Sequence, residues 1–125
     1  MLIEGHFPFI GEVTWLAPQE GGRPAGVPPV VEGLSYAQVA HVLPRNVGNG
    51  SASFVLRGWD PERWRSRAEG RWLLVENGGD HLVVPGSVVI ITEGSRPVAS
   101  FRVDEVLPYE SPGVVGFGGW GSTVR

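Results

Sequence analysis

Short stretches that alternate apolar and polar residues, cut repeatedly by glycine and proline, constrain this chain more than any other feature. The clearest is residues 10–16. Gly5, Pro8 and Gly11 break any helical period, and Ile10, Glu12 and Thr14 alternate with Gly11, Val13 and Trp15. Val13 and Trp15 therefore share a face. The 19 Gly and 11 Pro recur between such stretches, and turns are where positive or fixed φ is needed. An all-β chain accommodates that punctuation, whereas a helical bundle does not.

The remaining strands are expected at 36–43, 52–57, 71–75, 82–84, 87–92 and 98–106, with the first reaching back to residue 2. Asn49-Gly50, Asn77–Asp80, Pro85-Gly86 and the segment 93–96 supply turns between them. Residues 17–32 hold Pro18, Pro24, Pro28 and Pro29, which lack the donor a ladder needs, so this connection is loop or edge. Residues 60–70 read as the one short helix. Asp60 suits its N-cap, Pro61 its first turn and Gly70 its stop, while Pro61, Trp64 and Ala68 form a stripe at i, i+3 and i+7. About seven short strands predict a sandwich or closed barrel, since closure removes exposed edges. One domain is expected over 1–108. A Gly-rich tail follows over 109–125, either mobile or tucked onto the barrel by Phe117 and Trp120.

Several chemistries are excluded. Without cysteine there is no disulfide, thiolate nucleophile or Cys-type zinc site, which is compatible with a reducing compartment. All ten basic residues are Arg, so a P-loop or Schiff-base lysine is lacking. No apolar run is long enough to span a membrane, and residues 1–10 carry Glu4 and no basic leader, so a cytoplasmic location is expected. Gly116, Gly118 and Gly121 match the spacing of a dinucleotide fingerprint, but only four residues follow, leaving no helix to hold a pyrophosphate. Asp80-His81 near Ser87 is not a triad, because adjacent strand residues point to opposite faces. His6, His41 and His81 are too far apart in sequence for local chelation. No cofactor, metal or catalytic residue is assigned.

The segment 57–72 carries the one local signal with chemistry behind it. Arg57, Arg63, Arg65, Arg67 and Arg71 are interleaved with Trp59, Trp64 and Trp72 in a protein of net charge −3. Guanidinium forks and indole faces suit a protein hot spot, and they also suit phosphates and unstacked bases of RNA. The third reading is structural: Trp64 and Trp72 pack the helix onto the barrel, while the arginines form a solvated face paired with Glu62 and Glu69. Net charge favours a protein partner over nucleic acid.

Glu12–Leu16 followed by Glu20-Gly21-Gly22-Arg23 resembles the opening strand and loop of the third domain of translation elongation factor Tu. Glu93-Gly94-Ser95-Arg96-Pro97-Val98 is similar to that family's closing Glu-Gly-Gly-Arg-Thr-Val loop, with one Gly replaced by Ser. The resemblance covers roughly residues 9–107 and implies a closed six- or seven-stranded Greek-key barrel, here with a short helical insertion. It also implies an RNA role for Arg23, at the position that lies near the T-arm of bound transfer RNA in the family. The chain departs from the family at residues 33–36, where Gly-Leu-Ser-Tyr replaces Gly-Tyr-Arg-Pro, and it contains no guanine-nucleotide domain. The combined expectation is a non-catalytic binding module, translation-related or neutralising a toxin that acts there. Its partner-binding residues are Arg23, Trp59, Arg63, Trp64, Arg65 and Arg67; the alternative is a binder of transfer or ribosomal RNA.

Overall fold

Six alternating stretches become the staves of one barrel. The computed structural model describes residues 6–31, 35–46 and 48–108. Its strands are β1 (Phe9–Trp15), β2 (Tyr36–Val42), β3 (Ala52–Arg57), β4 (Arg65–Trp72), β5 (Val88–Glu93) and β6 (Arg96–Val106). Around the closed barrel they run β1-β4-β3-β2-β5-β6, and β6 pairs back onto β1. Every pairing is antiparallel. Strands β2, β3 and β4 follow one another as neighbours, while β1 lies beside β4 across a long proline-rich connection, which is Greek-key order. The all-β closed barrel matches expectation, with six strands.

Alternation places the core. In β1, Phe9, Gly11, Val13 and Trp15 are buried while the residues between them are only partly so. Phe9 stacks on Phe54 at 6.1 Å, and Phe54 meets Trp72 edge-on at 5.1 Å. Gly70 makes room for that ring: a Cβ there would lie 2.5 Å from Phe54 Cζ and 3.1 Å from Phe101 Cε2.

The expected helix over 60–70 is not formed. Asp60 does cap, through Oδ1 accepting the Glu62 N–H at 2.9 Å, but it caps a turn. The chain then straightens: the Trp15 N–H donates to the Trp64 carbonyl at 2.7 Å, and β4 begins at Arg65. Neither does a strand form at 82–84. The Asn77 side chain accepts the Val83 N–H at 2.6 Å and donates to the Val83 carbonyl at 3.1 Å, occupying the groups a ladder requires. The strand expected at 71–75 lies earlier, as β4. Among the described residues the helical pieces are two 3-10 turns, Pro18–Glu20 and Gly79–His81, and no helix is long and apolar enough to cross a membrane. The expected tail, the fingerprint match within it, and Gly33-Leu34 lie outside the described residues.

Strand direction defines two rims. The described parts of the connections, 16–31, 58–64 and 94–95, cluster at the upper rim, and 43–46, 48–51 and 73–87 at the lower.

Candidate partner-binding surface

The upper rim is built from the two glycine bends and the connection 58–64. In the first bend each residue has a distinct task. The Glu20 carboxylate accepts the Ala17 N–H at 2.8 Å, and Gly21 takes φ 91°. Gly22 passes so close to Leu16 that a Cβ would lie 2.1 Å from its carbonyl oxygen. Arg23 then reaches the second bend: its Nε donates to Glu93 Oε2 at 2.9 Å, and its Nη1 donates to the Gly26 carbonyl. The two bends, seventy positions apart, are thus joined by an ion pair whose side chains are 20% and 25% exposed. That partial burial separates it from an ordinary surface pair.

Glu93 holds a third group, because the Tyr36 hydroxyl donates to the same Oε2 at 2.7 Å. Burial, together with that hydrogen bond and the nearby carboxylate charge, raises the Tyr36 phenol far above its ordinary value, so it remains a donor. Behind Tyr36 its ring packs edge-on against Trp15 at 5.3 Å and Trp59 at 6.0 Å. Trp59 donates its indole N–H to the Pro28 carbonyl at 2.8 Å, fastening the proline-rich connection over the barrel mouth. Sequence alone assigns Tyr36, Glu93 and Trp15 no part in this surface. Glu93 was visible as the first residue of the second bend, but its pairing crosses the barrel.

The six expected contact residues separate into four environments. Trp59 is buried and serves as a core and loop anchor, so its indole is not displayed to a partner. Arg23 is held by Glu93 and Gly26. Arg65 and Arg67 stand on the outer face of β4 beside acids of β1 and β6: Arg65 lies 3.9 Å from Glu12, and Arg67 hydrogen-bonds Asp104. Arg102 shares both of those acids, at 3.6 and 3.2 Å. Hydrogen bonds from Arg67 first, then Arg102, hold the Asp104 carboxyl below its ordinary value. Pairing of Arg65 and Arg67 therefore follows the structural reading, with acids from other strands rather than Glu62 and Glu69. Glu69 instead pairs with Arg57 at 2.7 Å, and that guanidinium lies 3.8 Å above the Phe7 ring.

Trp64 and Arg63 remain outward. Trp64 is 47% exposed, although its carbonyl is fixed by Trp15. It borders a shallow hollow with Gly26, Val27, Pro61, Glu62 and Arg63. Arg63 is 73% exposed and reaches Asp60 only at 3.4 Å. Residues 25–27 of the proline-rich connection and 61–64 thus meet in one surface.

His41 and His81 have different surroundings. His41 is buried on β2, and His81 packs against the Trp72 ring. Among the described residues no group of three His, Asp or Glu side chains converges as a metal site would. A scan against family models, a search of curated proteins and a search of solved structures each find no match for this chain.

Proposed function

We propose that the protein is a non-catalytic binding module that engages a folded protein partner through its upper rim, centred on Trp64 and Arg63. The observation that carries this reading is an exposed indole on a backbone already fixed by β1, beside the exposed Arg63 guanidinium and a hollow lined by Gly26 and Val27. A large side chain presented with little left to order is the composition and geometry of a hot spot. Against the RNA reading, Arg23, Arg57 and Arg67 already have carboxylate partners, so phosphates would have to displace those pairs.

Support for kinship with the elongation-factor barrel is limited to the six-stranded Greek-key order and the two joined bends. On that reading the partner belongs to, or acts upon, the translation apparatus. The experiment is affinity capture from native lysate with the full chain and with Trp64→Ala and Arg63→Glu, followed by titration of the captured protein. Loss of roughly tenfold or more in affinity for each variant, at unchanged stability, is expected. Capture indifferent to both substitutions contradicts the assignment. Salt-sensitive capture of RNA instead would establish the nucleic-acid alternative.

A further inference from the structure

The lower rim has a different chemistry. Of the nine exposed large apolar side chains among the described residues, five stand on its two connections: Leu43, Leu74, Val75, Leu82 and Val84, with Leu74 85% exposed. Single surface apolar residues are ordinary, but a gathering at one end of a small barrel marks an interaction surface. Their outward direction is fixed. Val83 is buried and clamped by the Asn77 side chain, so its neighbours Leu82 and Val84 are turned away from the core. An Arg45–Asp80 pair at 3.0 Å ties the two connections together, and the Leu43 N–H donates to the Val88 carbonyl at 3.0 Å. These aliphatic groups are therefore presented on held backbone.

Charge selects the occupant. Every described arginine at this end is engaged: Arg45 by Asp80, Arg102 by Glu12 and Asp104, and Arg71 by the Trp72 carbonyl and the Phe7 ring. Two described carboxylates at this end, by contrast, stand in no ion pair. Glu76 adjoins Val75, and Glu105 lies two residues past Val103, whose carbonyl accepts the Gly86 N–H beside Val84. We propose that the lower rim is a second docking surface, one that takes a basic amphipathic segment of a partner protein. Aliphatic side chains of that segment lie against Leu43, Leu74, Leu82 and Val84, and its Lys or Arg residues reach Glu76 and Glu105. An acidic margin repels anionic lipid and RNA, which separates this surface from a membrane or nucleic-acid site.

The test uses the full chain with isotope-labelled Leu and Val methyl groups. It is titrated with a short amphipathic Leu/Lys peptide, a Leu/Glu peptide of the same apolar pattern, and anionic phospholipid vesicles. Saturable shifts of the five lower-rim residues with the Leu/Lys peptide alone are expected. Binding should weaken roughly tenfold in Glu76→Lys/Glu105→Lys and in Leu74→Ser. Unmoved Val89 and Val103 methyls in those variants show that the core is intact. Equal response to the Leu/Glu peptide, shifts centred on Val30 and Val31 at the other rim, or vesicle binding overturns the proposal. So do contacts in the free protein showing that residues 109–125 or a second copy already cover this surface.

Discussion

At Gly22 a Cβ would lie 2.1 Å from the Leu16 carbonyl oxygen, whereas at Gly21 the space is open and only a φ of 91° disfavours a side chain. Gly21→Ala should therefore cost about 1 kcal/mol, the left-handed penalty. Gly22→Ala, which must push backbone against backbone, should cost about 3 kcal/mol. Urea midpoints at constant m-value measure both, and the reverse order would show that the turn is not built as described. A second residue-scale expectation concerns acid. His41 is 6% exposed with Nδ1 unbonded, and burial holds its pKa below the ordinary 6.5. The unfolded chain thus binds this proton more readily than the folded one, so stability falls as pH drops below about 6.5. His41→Gln should flatten that decline, read from denaturation at pH 7.5, 6.5 and 5.5. Asp104, lowered by Arg67 and Arg102, acts in a separate window: its stabilisation is lost only below the ordinary carboxylate value of 3.8. A decline unchanged in His41→Gln would place the responsible group elsewhere.

Among the elements, β4 shows where the sequence was legible and where it misled. The matches of Pro61, Trp64 and Ala68 to a helical stripe competed with a longer alternation: Arg65, Arg67, Glu69 and Arg71 against Ser66, Ala68, Gly70 and Trp72. The alternation won because Gly70, among its inward members, leaves room for the Phe54 and Phe101 rings, and because β1 and β3 offer ladders on both sides. Asp60 is not the N-cap of a helix: its carboxylate accepts the Glu62 N–H within a turn. The two glycine bends were visible as motifs. That Arg23 crosses to Glu93 was not, since an ion pair spanning seventy positions leaves no local pattern. The bond between those bends gives the element-scale prediction. Glu93→Ala leaves a part-buried guanidinium and the Tyr36 hydroxyl without their acceptor, and should cost about 1–3 kcal/mol. In a double-mutant cycle, Arg23→Met and Glu93→Ala should couple by at least about 0.5 kcal/mol. Additivity within error would mean that the bends are held together by packing alone.

For the whole molecule, closure depends on the strand that comes first. β1 bonds to β4 on one side and to β6 on the other, so neither partner is near it in sequence. By contrast, β2 with β3, β3 with β4 and β5 with β6 are sequential pairs whose short connections make loop closure inexpensive in entropy. Local pairs form early and the long closures come late, so refolding is expected on the millisecond-to-second scale typical of non-local β topologies. Val13 tests the order of events. It is fully buried, and its neighbours across the ladders are Ser66 and Phe101. If β1 docks after the sequential hairpins have formed, Val13→Ala should speed unfolding while leaving the folding rate nearly unchanged. A substitution within the β2–β3 hairpin, such as Val55→Ala, should slow folding by a larger share of its equilibrium cost. Stopped-flow chevrons for both variants measure the two arms separately. A folding rate that falls in Val13→Ala by the full equilibrium loss would place β1 in the nucleus and make closure the first event. Late docking has a consequence for binding as well: until β1 docks, the Trp15 N–H cannot fix the Trp64 carbonyl, so the exposed indole acquires its rigid seat only when the barrel shuts.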